Sequence, residues 1–303
     1  MSDAVVTYYD EPLLKKPVWL WSIPTYFYLG AAAGASLALG AAAQVMRAGS
    51  PELVRRCRWI GLAGVSAGTV LLIYDLGRPS RFLNMLRVFR PTSPMNVGSW
   101  LLSATGSLAG LSVVAGGAIG QAAAVGAGVL GVPLSGYTGV LLANTAMPVW
   151  QDGRRSLPAL FVASGMASAG ALFHLMDLPA RDEAIAHRFA LAGQAAELAA
   201  MVALERETSK VQRVAEPLRT GAPGLLWKVA KVLGAASLAL SLFARKSPKA
   251  KTAAGLCGTA AALSLRFSLL QAGRHSALDP RAAIEQQRVR ELPTDGGKAR
   301  LVA

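Results

Sequence analysis

The sequence predicts an all-α integral membrane protein with about eight transmembrane helices. Of the 303 residues, 53% are hydrophobic and only 16% are charged, whereas soluble domains average about 25% charged residues. The apolar residues are gathered in repeated runs, and roughly 20 mostly apolar residues are enough for a helix to cross a bilayer. The predicted spans are residues 23–46, 59–74, 97–119, 133–150, 157–178, 186–204, 224–244 and 252–272.

The first span follows a polar N-terminal tail, residues 1–22, which is acidic up to Glu11. Because the first apolar run is a full span, we expect no cleaved signal peptide and insertion directed by the first helix. The other predicted units are 23–150 with four spans, 151–272 with four more, and a polar C-terminal tail, 273–303. The apolar run 121–131 is too short to span, so we interpret it as an extension of the third helix or an interfacial segment.

Many glycines fall inside the predicted spans, for example Gly30, Gly34, Gly61 and Gly64. Small residues let membrane helices approach closely, so these positions predict a tightly packed helical bundle. A dimerisation face is the alternative.

The net charge of +14 comes from basic residues in the loops and tails beside the spans. There they set topology and contact anionic lipid headgroups, so the charge does not indicate nucleic-acid binding. A basic loop can also dock an acidic partner.

Eight spans place both termini on one side of the membrane, here called face A, together with residues 75–96 and 205–222. Face A is more basic near the spans than the opposite face B, so the positive-inside rule predicts a cytoplasmic face A in the inner membrane.

The connection from Tyr74 to Trp100 is far longer than two membrane helices need, and it carries four arginines and three prolines. Such a charged, turn-rich segment is typical of a functional surface. Asp75 lies where the second span reaches face A. One interpretation is a helix-end carboxylate paired with Arg78, and the other is a carboxylate that exchanges protons at the membrane edge.

Aromatic and polar side chains mark the first half of the chain. Tryptophans lie at the face A ends of spans, as in an interfacial aromatic belt: Trp19, Trp21, Trp100 and Trp150. Tyr26 and Tyr28 lie deeper in the first span, where their hydroxyls can serve a pocket. Tyr137 follows a predicted turn, 133–136, at the start of the fourth span, and Asn144 lies two turns further on. Polar groups within a span usually face the bundle.

The second half places ionisable residues inside the membrane. Glu197 falls near the middle of the sixth span and Arg266 within the eighth, and such residues are functional candidates by default. The alternative is an ion pair that joins two helices. His174 and Asp177, three residues apart, are predicted to share a helix face. With His187 they form either a proton route toward Glu197 or a hydrated helix end.

The chain has three histidines and two cysteines. A bis-histidine haem needs two facing histidines at one depth, and His275 falls in the predicted tail, so we expect no haem and no metal site. An iron–sulfur cluster takes four cysteines, so we expect none here. Cys57 and Cys257 are interpreted as small apolar residues.

Short motifs in the first half resemble the polysulfide reductase NrfD/PsrC family of membrane subunits. They occur in the family's order, and together they are specific, whereas the second half is similar only in length and hydropathy. The matching segments are W-L-W at Trp19–Trp21, GAAAG at 30–34, DLGRP at 75–79 followed by Arg81-Phe82, PTSP at 91–94 with Gly98-Ser99-Trp100, and GYTGVLLANT at 136–145 followed by Pro148-Val149-Trp150.

The resemblance implies two four-helix bundles, no haem, and a quinone or quinol bound in the first bundle near an iron–sulfur partner. It places Tyr137 in the pocket, and it places Tyr26 where relatives can carry histidine. A phenol can hydrogen-bond a quinone carbonyl, but its pKa of about 10 makes it a poorer proton acceptor than imidazole. Asp75 is then the expected proton partner, and Trp100 and Asn144 complete the candidate quinone-binding set.

We therefore interpret the chain as the membrane-anchor, quinone-reactive subunit of a multi-subunit oxidoreductase. Its expected cofactor is menaquinone or ubiquinone, and its expected partners are a ferredoxin-like iron–sulfur subunit and a molybdopterin-type catalytic subunit. In family members with an exported catalytic subunit, face A points outward, opposite to the charge count. The alternative function is a stand-alone secondary transporter with Glu197 and Arg266 as its midplane site.

Overall fold

The computed structural model describes residues 13–244 and 247–291, and these residues form α-helices and no strand. The acidic segment up to Glu11, residues 245–246 and residues 292–303 of the predicted tail lie outside the described residues. The helices are α1 (Ser22–Val45), α2 (Pro51–Leu76), α3 (Ser80–Met85), α4 (Pro94–Val114), α5 (Gly117–Ala143), α6 (Pro148–Asp152), α7 (Ser156–His174), α8 (Ala180–Thr208), α9 (Gln212–Ala215), α10 (Gly221–Ala244), α11 (Pro248–Leu278) and α12 (Pro280–Glu291).

Seven of these helices are long and apolar enough to cross a membrane, namely α1, α2, α4, α5, α7, α10 and α11. This confirms the predicted class of an all-α, multi-pass membrane protein. The remaining long helix, α8, has 29 residues but is less apolar. Arg188, Gln194 and Glu197 lie in its middle part.

Contacts at its two ends nevertheless show that α8 runs the full depth of the bundle. Near its start, Asp182 accepts hydrogen bonds from the backbone N–H and the hydroxyl of Ser50, which caps α2 on face B. Near its end, Glu207 accepts hydrogen bonds from the backbone N–H and the hydroxyl of Ser156, the first residue of α7 on face A. Helix α8 therefore runs alongside the apolar helices from face B to face A, although its polar residues leave it outside the seven apolar spans.

The first and last described segments meet on face A. Arg274, near the end of α11, donates to the carbonyl oxygen of Pro17 at 3.1 Å and to that of Trp19. Gln286 of α12 donates to the carbonyl oxygen of Pro148 at 3.0 Å. Since the segment before α1 and the end of α11 lie together, the chain crosses the bundle an even number of times.

The long helices pack in two groups. The first group contains α1, α2, α4 and α5, the second contains α7, α8, α10 and α11, and α1 and α5 contact α7 between them. The close approach of α1 and α5 requires small residues, because a Cβ on Gly34 would overlap the carbonyl oxygen of Gly131. A Cβ on Gly165 of α7 would lie 2.9 Å from the carbonyl oxygen of Ala31. At these positions the glycines serve packing within the chain.

The predicted fourth span was wrong in its position. Helix α5 begins at Gly117 and includes the run 121–131, which was assigned to the third helix or the interface. Pro133 lies inside this helix rather than in a turn, since membrane helices tolerate proline where neighbours satisfy the freed backbone groups. The helix ends at Ala143, and residues 148–152 form the separate helix α6.

The polar tail predicted from residue 273 begins inside a helix, because α11 continues to Leu278 and the polar helix α12 follows; His275 therefore lies in a helix. One other expectation fails. Trp150 is not part of an interfacial belt: it is fully buried and donates from its indole N–H to the carbonyl oxygen of Leu269 at 2.8 Å. Its ring also stacks on that of Trp19, with the centroids 5.9 Å apart.

Candidate functional site

A cavity of about 370 Å³ opens at the face A end of the first helix group. Its volume lies in the range of small-molecule sites, which are typically apolar with a few convergent polar groups. Helices α1, α2, α4 and α5, the short helix α3 and the segment before α1 all contribute to its wall. The lining residues are Val18, Trp19, Ile23, Tyr26, Phe27, Leu72, Asp75, Leu76, Arg81, Met85, Met95, Ser99, Tyr137 and Leu141.

Two tyrosines form the polar inner wall of this cavity. Tyr26 of α1 is only 2% exposed, and its hydroxyl donates to the hydroxyl of Tyr137 of α5 at 3.3 Å. Because Tyr137 accepts this bond, its own hydroxyl proton is available to a group in the cavity. The other side chains around the pair are mostly apolar, which strengthens any hydrogen bond made there.

Asp75 lies on the opposite wall, at the end of α2. Gly77 follows it with φ of 69°, in the left-handed region that commonly ends a helix. The Asp75 carboxylate accepts from the backbone N–H of Leu20 at 3.0 Å and from the hydroxyl of Ser22 at 2.7 Å. The carboxylate thus holds the start of α1 against the cavity, and these bonds replace the alternative pairing with Arg78.

The connection between α2 and α4 forms the outer wall. Its helix α3 carries Arg81, which donates to the carbonyl oxygen of Leu76 at 3.1 Å, and Met85. The side chain of Asn96 fixes the connection by donating to the carbonyl oxygens of Met85 at 2.6 Å and Val88 at 2.9 Å. The long connection is therefore an ordered part of the site.

The structure does not bring Trp100 and Asn144 to this cavity. Trp100 is 38% exposed and makes an edge contact with Phe89, with the centroids 6.2 Å apart. Asn144 caps the end of α5 by donating to the carbonyl oxygen of Val140 at 2.8 Å. It lines a separate, open cavity with Arg154 and Arg155.

A second set of polar residues lies in the other helix group and begins near face B. His174 and His187 are both buried, and their ring centroids are 5.9 Å apart. Neither ring nitrogen of His174 has a hydrogen-bond partner. Asp177 does not share a helix face with His174, because α7 ends at His174 and Asp177 lies exposed in the following turn.

Further into the membrane, Gln194 of α8 donates to the hydroxyl of Ser237 at 2.8 Å. Glu197, one turn on, is 4% exposed and has one carboxylate oxygen without a hydrogen-bond partner. His187, Gln194 and Glu197 are all buried on one helix, and ten residues along a helix span about 15 Å. We call the set the polar ladder: His174, His187, Gln194, Glu197, Ser164 and Arg266.

The expected pairing of Glu197 with Arg266, directly or through a water, takes a different form. Arg266 is fully buried, and its guanidinium donates to the hydroxyl of Ser164 and lies 4.9 Å from the ring centroid of Phe161. Ser164 also lies near Glu197, so it stands close to both ionisable side chains, which form no direct ion pair within 4 Å in the described structure. Two guanidinium nitrogens of Arg266 have no hydrogen-bond partner. Tyr28 of α1, which is also buried, lies in the neighbourhood of Arg266.

The chain matches the NrfD_2 family, described as polysulfide reductase, over residues 7–280. It belongs to the NrfD polysulfide reductase family. The family assignment makes it a multi-pass membrane subunit of the polysulfide reductase type, the membrane anchor of an oxidoreductase. None of the curated proteins compared with the chain matches it. This assignment favours the oxidoreductase interpretation over the stand-alone transporter.

In this NrfD-family chain, the motifs quoted above converge on the face A cavity. The W-L-W segment brings Trp19, the DLGRP segment brings Asp75, and the GYTG segment brings Tyr137. Sequence analysis did not single out Trp19, Arg81 or Ser99 as cavity residues, although each lies within or beside a quoted motif. The contributions of Met85 and Met95 had no sequence signal.

Within the described part of this NrfD-family chain, no group of three or more histidine, cysteine, aspartate or glutamate side chains is placed to hold an ion. Cys57 is buried and Cys257 partly buried, and both are free thiols.

We expect Gly98→Ala to displace the ring of Tyr137 in this NrfD-family subunit, because a Cβ on Gly98 would overlap that ring. Misplacing a positioned group by about 1 Å can cost up to roughly 100-fold in rate, so any turnover of the assembled complex that uses this cavity should fall by about 10- to 100-fold. Gly110→Ala is the matched control on α4, because its Cβ would meet its nearest neighbour only at 4.0 Å. Equal turnover in the two variants contradicts the expectation.

Proposed function

We propose that the chain is the quinone- or quinol-reactive subunit of its complex. It exchanges electrons with an iron–sulfur subunit and protons with solvent. The observation that carries the proposal is the face A cavity, in which the hydroxyl of Tyr137 and the carboxylate of Asp75 lie on the same apolar-lined space.

The residues of the cavity fit a quinone head group. Such a group has a flat ring and carbonyl oxygens, so it needs apolar walls and hydrogen-bond donors. Tyr137 supplies a hydroxyl donor that Tyr26 orients through their 3.3 Å hydrogen bond. Trp19, Phe27 and Leu141 supply apolar walls. A bound menaquinone or ubiquinone would supply two-electron chemistry linked to proton transfer.

Asp75 would take up or release the protons. Its carboxylate borders the cavity on one side and the segment before α1 on the other. Charge left unneutralised in an apolar pocket is costly, so electron transfer there requires a proton donor or acceptor within reach. Arg81 adds a positive charge to the same wall.

The electron partner would dock on face A beside this cavity. The connection between α2 and α4 exposes the basic side chains Arg78, Arg87 and Arg90 and the apolar side chains Val88, 55% exposed, and Phe89, 58% exposed. This mixture suits an acidic, ferredoxin-like iron–sulfur subunit, to which a molybdopterin-type catalytic subunit would be attached.

The polar ladder supports a proton route from face B as part of this proposal. It starts at His174 and reaches Arg266, which lies in the neighbourhood of Tyr28. Tyr28 is two residues from Tyr26, so the ladder ends on the other side of the helix that lines the quinone cavity. Ionisable residues inside a membrane commonly mark such relays.

The direct test is Asp75→Asn compared with Asp75→Ala in the assembled complex. Asparagine keeps an oxygen that can accept from Leu20 and Ser22 but cannot exchange protons, whereas alanine removes both functions. We expect Asp75→Asn to assemble normally, to keep dye-linked activity of the partner, and to lower quinone-linked turnover by about 10-fold or more, the scale of general acid–base contributions. A normal quinone-linked rate in Asp75→Asn would refute the proton role of Asp75.

Orientation is tested with reporters fused after Ala303. Because face A is the more basic face, we expect a C-terminal fluorescent protein to be active and a C-terminal alkaline phosphatase to be inactive. An active phosphatase fusion would place face A outside the cytoplasm, together with the docking surface for the iron–sulfur subunit.

A further inference from the structure

A separate cavity of about 610 Å³ lies at the face B end of the first helix group. It is formed where α1 ends, α2 begins and α4 turns into α5. It is far from the quinone cavity, which lies at the other end of the same helices. Its wall includes Gln44, Arg47, Arg55, Arg58, Trp59 and Ser112.

The charged lining of this cavity is entirely basic. Arg47, Arg55 and Arg58 contribute to the wall, and no acidic residue does. Glu52, which stands outside the lining, is shared between Arg55 and Arg56. One carboxylate therefore faces two guanidinium groups, and the local charge stays positive.

Arg58 is the best-positioned cation of the three. Its side chain donates to the carbonyl oxygen of Ser112 at 3.0 Å and to the side-chain oxygen of Gln44 at 2.9 Å. Both acceptors are neutral, and no carboxylate pairs with Arg58 among the described ion pairs. The two bonds fix the guanidinium between α1, α2 and α4 and leave its charge without a counter-ion. A guanidinium held in this way is a suitable partner for an anion.

The surroundings of the cavity suit lipid. Trp59 in its wall is 55% exposed, and Val45 and Val114 beside it are 65% and 85% exposed, which is the mixture expected where apolar helix faces meet the headgroup region. Helix α5 starts at this cavity with Gly116 and Gly117, and no side chain caps its first N–H groups. These donors add to the arginines at the same place.

We propose that the face B cavity binds the phosphate headgroup of an anionic phospholipid, with Arg58 as its central contact. The acyl chains would lie along the exposed apolar faces of α2 and α4. Arginine suits this role because its guanidinium can bond two phosphate oxygens at once. The site does not depend on the quinone function.

The test is thermal unfolding of the purified protein in detergent, with lipid binding followed by native mass spectrometry. Phosphatidylglycerol should raise the unfolding temperature and remain bound, whereas phosphatidylcholine should do neither. Inorganic phosphate at the same phosphate concentration should not reproduce the effect. Equal effects of the two lipids, or full protection by inorganic phosphate, would overturn the proposal.

Variants locate the site. Arg58→Gln and Arg47→Gln should each reduce the preference for phosphatidylglycerol over phosphatidylcholine by roughly fivefold, the expected contribution of one cation near an anionic headgroup. Arg188→Gln is the matched control, because Arg188 is exposed on α8 outside this cavity. This variant should keep the preference for phosphatidylglycerol.

If Arg58→Gln does not fold, Arg47→Gln tests the site instead, because the described hydrogen bonds of Arg47 use only its backbone. An equal loss in Arg188→Gln, or no loss in Arg47→Gln, would contradict the site.

Discussion

Tyr137→Phe should lower quinone-linked turnover of the complex by about 10- to 100-fold while leaving the dye-linked activity of its partner unchanged. The substitution removes one oxygen from a ring that otherwise keeps its place over Gly98. It deletes the donor that faces the cavity and also the acceptor of the 3.3 Å bond from Tyr26. A hydrogen bond to a group that becomes charged contributes about 1.5–3 kcal/mol, and each 1.4 kcal/mol changes a rate tenfold.

The matched control is Tyr74→Phe. Tyr74 lies beside Asp75 on α2, but it is 59% exposed and does not line the cavity. Tyr74→Phe therefore removes the same oxygen, but it should leave quinone-linked turnover unchanged. A parallel loss of quinone-linked and dye-linked activity in Tyr137→Phe would indicate failed assembly, and unchanged quinone-linked activity would exclude Tyr137 as a donor.

The predicted position of Tyr137 in the membrane was wrong, because the start of helix α5 was predicted too late in the sequence. Tyr137 was assigned to the start of the fourth span, which in a chain of eight crossings lies at face B. Pro133 suggested that start, because proline usually marks a helix boundary in soluble proteins. In the bilayer, neighbouring helices make an internal proline tolerable. Helix α5 consequently begins 16 residues earlier than predicted, at Gly117, and carries Tyr137 to within two turns of face A.

The all-α class and the positions of most spans were predictable because hydrophobic length is a strong signal, and the fourth span was the exception. Contacts between distant segments could not be predicted from the sequence. The bonds of Asp75 to Leu20 and Ser22 join residues 55 and 53 positions apart, and nothing in the local pattern of Tyr74–Leu76 specifies them. The local sequence likewise gives no sign that Ser164 lies near two buried ionisable side chains, Glu197 and Arg266.

The last prediction concerns Glu197, where the structure changes the energetic argument. Removing one member of a buried ion pair in direct contact typically costs about 3–5 kcal/mol. Here Arg266 instead donates to the hydroxyl of Ser164, which lies near Glu197, and glutamine keeps the size and one oxygen of glutamate. We therefore expect Glu197→Gln to destabilise the protein by only about 1–3 kcal/mol, the scale of one lost charged hydrogen bond.

A double-mutant cycle with Arg266 isolates the electrostatic part. If Arg266 depends on Glu197 for its counter-charge, Glu197→Gln combined with Arg266→Gln should cost less than the sum of the two single changes. Additive losses would show that the two charges do not interact across Ser164.

The effect on proton movement should be much larger than the effect on stability. Glu197 is the one carboxylate of the polar ladder, so Glu197→Gln should abolish proton uptake from face B in liposomes that contain the assembled complex, while quinone turnover persists. Glu205→Gln is the matched control on the same helix, because Glu205 pairs with Lys231 at 2.9 Å outside the ladder. A Glu197→Gln complex that is less stable but moves protons normally would give the ladder a structural role. Normal stability and normal proton movement together would mean that the Glu197 carboxylate interacts with neither Ser164 nor Arg266 in the membrane.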